Sequence, residues 1–402
     1  MSDLHVIIAG GGLGGLALAQ GLHQAGISVA VYERDPSPAF RNQGYRIRIN
    51  PDGITALQAV LAPAAFELFA ATAGHPGTRM DAFDHRLDLV HGQQLAPVPG
   101  LPGAGRLAVN RRTLREILLS GLEKSVHYGA RLTHYRTEPT GPVTAHFADG
   151  TSATGDVLIG ADGVNSAVRA QLLPEARVVD AGLRLFYGKV PFAGEADRER
   201  IPAELLGLWT TVIGPDRRFI GLAPVQYPEA PHDAAARLAP DIALGAGTDY
   251  LACVFGARRE LLPCTDEQLF AMTGPDLREL ALGLLESWHP TLREIVSRQD
   301  PASVFPVSVR TSVPVPAWET SAVTLLGDAI HVMSPAIGVG ANTALRDARV
   351  LANRLVEAAG GADLLAALHA YEAEMVEYGF DAVRESAERG HQLVGQDPLP
   401  TA

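Results

Sequence analysis

An α/β fold built from two interleaved domains is what this sequence predicts, and three observations carry the prediction. A short apolar run, Leu4 to Ala9, leads into a glycine-rich turn and then a helix. Strand-and-turn units of the same kind recur near 156–170 and 323–355. Between those two units the chain turns to β character over Ala181 to Ala257, so one domain is inserted into the other. The expected division puts 1–75, 98–178 and 300–360 in a discontinuous Rossmann-like domain. Residues 76–97 and 179–299 then form a mainly β domain, and 361–402 a C-terminal helix and tail.

His5-Val-Ile-Ile-Ala9 suits a strand buried on both faces. Leu13 to Ala25 follows as a helix, closed by Gly26 where a left-handed residue ends helices. Ser28 to Tyr32 is a second strand. Gly44 to Asn50 reads as a short basic strand, and Pro51 to Leu61 as a helix opening on proline. Met80 to His91 suggests a hairpin, while Ala96 to Gly105 is too rich in proline and glycine for regular structure. Asn110 can cap a helix running to Lys124, and Asp156 to Ala161 is another apolar strand. In the β block, Gly182–Val190, Gly207–Ile213, Arg218–Val225 and Asp249–Ala257 are candidate strands, with Pro228–Thr248 as a long insertion. Thr265 and Gln268 can form a capping box, after which Leu277, Leu280, Ala281, Leu284, Leu285 and Trp288 share one helical face. Val323 to Leu326 is a strand, a helix runs from about Thr343 to Ala359, and a last one covers Leu364 to Arg389.

Composition narrows the function classes. Of 402 residues, 47% are hydrophobic and 19% charged, which is globular. A net charge of −12 disfavours nucleic acid or an anionic membrane as the main partner. Cys253 and Cys264 are too few for a disulfide scaffold and suit buried thiols in a reducing cytoplasm. The histidines show no paired metal spacing, so no metal site is expected. The uncharged stretch between Asp3 and Glu33 lacks the basic start of a secretory signal, and its glycines suit a tight turn better than a membrane helix. The expectation is a soluble cytoplasmic protein without a transmembrane anchor.

The chemistry sits in three motifs. The first is Gly10-x-Gly12-Leu13-Gly14-Gly15, between a strand and a helix. Glycine there permits the turn, lets a pyrophosphate approach the backbone and lets helix pack on strand. The anion meets unpaired N–H groups at the helix start. Glu33 ends the second strand, placed for ribose hydroxyls, although the motif alone does not separate NAD from FAD. The second motif is Asp156-Val-Leu-Ile-Gly-Ala-Asp162-Gly163. In the third, Leu326-Gly327-Asp328 leaves a strand, and Pro335-Ala-Ile-Gly338-Val-Gly340-Ala341-Asn342 opens a helix. Arg41, Arg46 and Arg48 cluster in an acidic chain, as a solvated strand face or as a contact for flavin or phosphate. The aromatics of the β block, Tyr187 and Tyr250 among them, suit either a core or an apolar pocket wall.

These motifs, in this order, resemble the single-component FAD-dependent aromatic hydroxylases, the class A flavoprotein monooxygenases of the para-hydroxybenzoate hydroxylase fold. Val109-Asn110-Arg111-Arg112-Thr113-Leu114 resembles the segment carrying that family's arginine over the flavin. The resemblance covers most of 1–180 and 300–390; the β block matches only in kind. It implies an FAD-binding domain in which Gly10, Gly12, Leu13, Gly14 and Gly15 cradle the pyrophosphate. Glu33 takes the AMP ribose, Arg34 lies beside the adenine, and Arg111 contacts the flavin chain. Asp162 and Gly163 bridge cofactor and pyridine nucleotide, and Asp328 accepts from ribityl hydroxyls. Pro335, Gly338, Gly340, Ala341 and Asn342 bring a helix N-terminus to the flavin pyrimidine edge, with Arg46 or Arg48 close by. His331 is chiefly structural, and Arg184 and Tyr187 sit where related enzymes face the substrate.

The implied activity is NAD(P)H- and O2-dependent hydroxylation or epoxidation of an aromatic or polyketide-like small molecule through a flavin C4a-hydroperoxide. With no second Gly-x-Gly-x-x-Gly, NADPH or NADH docks transiently on the FAD domain. A flavin-dependent reductase or dehydrogenase of the same fold, and a non-catalytic flavin-binding protein, are the alternatives.

Overall fold

The structure is a computed structural model that describes residues 4–38, 40, 44–75, 77–138 and 141–400. The chain opens with β1 (His5–Ala9), α1 (Leu13–Gln24) and β2 (Ser28–Glu33). Then come β3 (Arg46–Ile49), α2 (Pro51–Val60), α3 (Pro63–Ala71), and the hairpin of β4 (Arg79–Asp84) and β5 (Leu89–Gln94). β6 (Leu107–Asn110) and α4 (Arg111–Leu119) precede four short strands, β7 (Val126–Tyr128), β8 (Leu132–Thr137), β9 (Val143–Phe147) and β10 (Ser152–Gly155). β11 (Val157–Gly160) and α5 (Ala167–Leu172) lead into β12 (Val178–Pro191), α6 (Glu195–Glu199), β13 (Trp209–Ile213), β14 (Phe219–Val225), α7 (Pro231–Leu238) and β15 (Tyr250–Arg258). Helices α8 (Asp266–Ala271), α9 (Gly274–Leu284) and α10 (Pro290–Ser297) precede β16 (Phe305–Ser312) and β17 (Val323–Leu325). The last two helices are α11 (Gly340–Ala359) and α12 (Leu364–Val394).

A five-stranded sheet in the order β17-β11-β1-β2-β7 is parallel throughout. Every residue of β11 is buried, as is β1 beyond His5, so these strands read as unbroken apolar runs. Helices α1 and α11 cover one face; a Cβ on Gly21 would sit 3.0 Å from the Ala352 Cβ, so glycine lets them approach. β1 lies between β2 and β11, where the strand order reverses, and such a switch point opens a crevice at the strands' carboxyl ends.

The second sheet has seven strands in the order β16-β12-β15-β14-β13-β4-β5. β4 pairs parallel with β13, which ties the early hairpin to the later β block. A second apolar core lies between this sheet and α8–α10, around Phe186, Phe255 and Trp288. Cys253 is buried in it and burial pushes its thiol up to about 12, which makes it an inert packing group.

Several expectations meet a different local outcome. β16 falls within the stretch expected in the dinucleotide domain, yet pairs with β12 in the seven-stranded sheet. β7 to β10 went unanticipated; they are three to six residues long, and β8 to β10 form a small antiparallel sheet of their own. The Asn110 cap is made, to the Arg112 and Thr113 amides, but α4 stops at Leu119 because Gly121 turns left-handed, with φ 77°. The capping box of Thr265 and Gln268 is present, and Thr273 with Asp276 repeats it one helix later. The insertion over 228–248 contains α7, which starts on a proline. α12 extends to Val394, where Gly395 in the left-handed region ends it. No helix among the described residues is long and apolar enough to cross a membrane.

α12 is fastened to the parallel sheet by one buried bond, from the Tyr371 hydroxyl to the Leu325 carbonyl at 2.8 Å. Tyr371→Phe is expected to lower stability by about 1 kcal/mol, the net worth of such a bond. Denaturant midpoints of the two proteins measure this; an unchanged midpoint means the bond contributes nothing.

Candidate active site

A cleft of about 1210 Å³ lies at the carboxyl ends of β1, β2 and β11, closed on its far side by β12 and β16. Its floor is the turn between β1 and α1. Gly10 has φ 113°, and a Cβ there would meet the Ala161 carbonyl oxygen at 2.2 Å. A Cβ on Gly15 would meet the Gly10 carbonyl oxygen at 2.1 Å. Gly12 is different: a Cβ there has nothing within 4 Å, so its face is open to the cleft. Gly12 also caps α1 without any side-chain bond, which leaves the first-turn amides for an anion. Gly14 packs inward towards Leu326 and Ala344, and Leu13 is buried; neither lines the cleft.

Glu33 clamps this turn from the end of β2. One carboxylate oxygen accepts from the Gly11 amide at 2.8 Å and the other from the Asp35 amide at 2.9 Å. The group is buried at the cleft wall, its remaining lone pairs free for hydroxyl donors. Arg34, beside it, is exposed and also lines the cleft. Arg115 donates to the Gly11 and Pro38 carbonyls at 3.1 and 3.0 Å. Sequence reasoning missed it; the signal was its place one helical turn after Arg111, on the same face of α4.

Asp162 follows β11. Its Oδ2 accepts from the Ala167 amide at 2.7 Å and so caps α5, while Oδ1 is buried with no partner among the described residues. Burial pushes its carboxyl up. An enclosed acceptor at the cleft wall wants a donor, which a polyhydroxylated ligand has. Asp328, just after β17, faces the open cleft yet stands among protein atoms that desolvate it and raise its carboxyl; His331 and Arg111 oppose that rise. The open Gly12 face, the orphaned Asp162 oxygen and two carboxylates facing the cleft fit the phosphates and hydroxyls of FAD.

Behind Asp328 sits a buried hub. Asp347 accepts from the Gly327 amide at 2.7 Å, from His331 Nε2 at 2.7 Å and from the Tyr378 hydroxyl at 2.6 Å. Burial opposes charging of His331, but the Asp347 carboxylate outweighs it and the imidazole is raised overall. A Cβ on Gly379 would lie 2.7 Å from the ring, so α12 seals the histidine in. This is the structural position expected for His331.

Other expectations are corrected. Asn342 does not face the cleft: its Oδ1 accepts from the Asn50 amide at 2.9 Å, and its amide donates to the Arg48 and Gly338 carbonyls. It staples the glycine segment to β3. α11 starts at Gly340 rather than Thr343, and Gly338, Gly340 and Ala341 lie outside the cleft lining, whereas Pro335 lines it as expected, as does Met333. Gly338 serves the turn, in the left-handed region with φ 63°. Arg46 and Arg48 are also outside that lining; they donate to the Leu208 and Ile337 carbonyls, at 2.8 and 2.6 Å. Arg41 lies outside the described residues. Arg184 is 1% exposed and spends its guanidinium on Asp180 and Asp266, so it anchors two rim carboxylates instead of meeting a substrate. Tyr187 does line the cleft, stacked on Phe305 with ring centroids 5.7 Å apart. Its hydroxyl has no hydrogen-bond partner among the described residues, and burial raises it.

The hub carries a pH dependence. His331 is raised in the folded chain above its ordinary 6.5, so its stabilising effect is full below that value and is lost as pH rises through the folded value. His331→Gln is expected to cost ~1.5–3 kcal/mol at low pH, the scale of a charged hydrogen bond, and to flatten the alkaline decline. Chemical denaturation across a pH series measures both; parallel curves for the two proteins would remove the His331–Asp347 pair as the cause.

Comparison with known proteins agrees with this geometry. A family described as FAD binding domain matches residues 289–386, and one described as NAD(P)-binding Rossmann-like domain matches 8–72. The chain is 34% identical over 375 residues to the dual O-methyltransferase/FAD-dependent monooxygenase CTB3 of Cercospora beticola. That match takes in 88% of this chain but spans only 42% of the relative's length. The FAD-dependent urate hydroxylase of Klebsiella pneumoniae is 30% identical over 401 residues, covering 98% of this chain and 91% of the relative. A crystal structure of an FAD containing monooxygenase from Photorhabdus luminescens superposes with a TM-score of 0.83 at 30% identity, covering 98% and 99% of the two chains. With sequence, cleft and relatives in agreement, this chain belongs to the FAD-dependent monooxygenases of the aromatic hydroxylase type.

Proposed function

We propose that the chain is an FAD- and NAD(P)H-dependent monooxygenase that places one atom of dioxygen on an electron-rich aromatic or polyketide-like small molecule. The observation that carries this is a single cleft with cofactor-type groups on one wall and aromatic rings on the other. Gly12, Glu33, Asp162 and Asp328 stand on the first; Tyr45, Tyr187 and Phe305 on the second. The urate hydroxylase among the relatives, similar over nearly the whole chain, supports a compact ring as substrate.

When bound, FAD supplies the redox chemistry: hydride uptake from NAD(P)H and activation of dioxygen. The protein supplies position, electrostatics and exclusion of water. The first-turn amides of α1, with the open face of Gly12, would hold the pyrophosphate. Glu33 would take the AMP ribose, Asp328 the ribityl hydroxyls, and Arg111, with its guanidinium 5.6 Å from the Tyr45 ring centre, the chain between them. Asp162 and Gly163, on the cleft wall, would bridge the cofactor and the pyridine nucleotide. The Tyr187 hydroxyl keeps its proton and so can donate to a substrate oxygen.

The test is turnover under 18O2. Substrate-dependent NAD(P)H oxidation, oxygen uptake and a product heavier by one labelled oxygen are expected. NAD(P)H oxidation without oxygen insertion would make the protein a reductase, and neither would leave a flavin-binding protein.

Two variants probe the cofactor wall. Asp328→Ala is expected to raise the FAD dissociation constant roughly ten- to hundredfold, the equivalent of ~1.5–3 kcal/mol for a bond to a charged acceptor, with little loss of apoprotein stability. An unchanged FAD titration would refute the assignment. Glu33→Ala is expected to weaken FAD and also lower the apoprotein melting temperature, because it orphans the Gly11 and Asp35 amides. Loss of affinity with no change in melting would show that the clamp is not structural.

A further inference from the structure

A second, smaller cavity of about 20 Å³ adjoins the cleft across its aromatic wall. Tyr45, Tyr187 and Phe305 line both spaces. Behind the rings the small cavity is lined by Arg46, Lys189 and Tyr250, with Ser303 at its edge. It is large enough for a water-sized group such as a carboxylate or phenol oxygen.

Its charge is one-sided. Arg46 is 9% exposed; among the described residues it donates only to the Leu208 carbonyl, and its buried Nε finds no partner there. The Lys189 ammonium lies over the Tyr250 ring, 4.7 Å from its centre, and has no hydrogen-bond partner among the described residues. Asp300 is the acid that acts on Lys189, but its carboxylate accepts from the Ala302 amide in an exposed turn. The Tyr250 hydroxyl is occupied, accepting from Asn110 and donating to the Gly44 carbonyl. Burial lowers both cations, Arg46 to about 10, so that guanidinium stays charged at neutral pH. Two buried or half-buried cations without a carboxylate are costly unless an anion joins them.

On the reading of the cleft as a substrate site, we infer that this cavity is an acid-group subsite. The substrate carries an anionic oxygen, on a carboxylate or an ionised phenol, that docks beside the Lys189 ammonium with the Arg46 guanidinium behind it. The substrate ring then lies against Tyr187 and Phe305. Charge-assisted hydrogen bonds are short and about twice as strong as neutral ones, so the subsite would select acids over neutral isosteres.

The experiment is binding to the FAD-loaded protein without NAD(P)H. 2-Naphthoate and its neutral isostere 2-naphthamide are titrated by calorimetry or tryptophan fluorescence. The acid is expected to bind roughly tenfold or more tightly than the amide. Lys189→Met should remove most of that preference and leave the amide within about twofold, while Lys189→Arg restores part of it. Should Lys189→Met fold poorly or lose FAD, Lys189→Gln takes its place. 2-Naphthol separates the two anion sources, because Lys189-dependent tightening as its hydroxyl ionises assigns a phenolate. Equal affinity for acid and amide, no saturable binding of any probe, or an acid preference that survives both Lys189→Met and Lys189→Gln would overturn the subsite. Absent oxygen insertion with the acid preference intact would overturn the monooxygenase reading alone. Intact turnover without the preference would overturn the subsite alone.

Discussion

The contact between Gly15 and the Gly10 carbonyl is the constraint on which the cleft depends. No side chain fits there: a Cβ would lie 2.1 Å from that oxygen, and one on Gly10 would strike Ala161 as closely. The turn must therefore be glycine for the β1–α1 hinge to close and for β11 to pass beside it. Once closed, the turn brings three carboxylate-bearing strand ends together, those of Glu33, Asp162 and Asp328. Gathering so much negative charge at a phosphate site looks unfavourable. On the proposed reading it is workable because each acid is committed to N–H donors or poised for hydroxyls, and the phosphates would fall to the helix start. Glu33 shows this directly, with a backbone amide on each oxygen.

A second constraint holds the third strand end in place. Asp347 is fully buried and gathers an amide and an imidazole from the turn after β17 and a phenol from α12. An unpaired carboxylate at that depth would be costly, so the partners specify one arrangement of the turn after β17. Arg346, 3.7 Å from the Tyr378 ring centre, adds a cation–π contact that steadies the phenol. Asp328 can face the cleft because Asp347 has fixed the backbone beneath it.

The far wall is arranged by a β-bulge. The register of β12 against β16 shifts between Asp180 and Arg184, with Gly182 left-handed inside the shift at φ 76°. Beyond the shift the regular pleat puts Arg184 and Tyr187 on opposite faces: Asp180 and Asp266 saturate the arginine, and the tyrosine lines the cleft. The rings of Tyr45, Tyr187 and Phe305 border both the large cleft and the cationic cavity beside it. Strand alternation thus separates a structural arginine from a tyrosine available to a ligand.

Local rules were legible in the sequence. The apolar run of β1, the glycine turn, the Asn110 and Thr265 caps and the long final helix depend on backbone conformation and periodicity within a few residues. Glu33, Asp162 and Asp328 could be found the same way, as polar residues just beyond apolar strands. Which polar side chains face the cleft was not legible, because partners far apart in sequence decide it. Asn342 is spent on Asn50 and Arg48, and Arg48 on Ile337, pairs separated by about 290 positions. Arg184 and Tyr187 sit three residues apart on one strand, so the pleat sends them to opposite faces, but only the fold brings Asp266, 82 positions away, to the guanidinium. The sequence by itself determined where strand ends and helix starts present ligand-binding groups, since those are properties of the local chain. Tertiary structure alone decided which charges are already paired, because a charge's partner depends on where the folded chain brings other segments beside it.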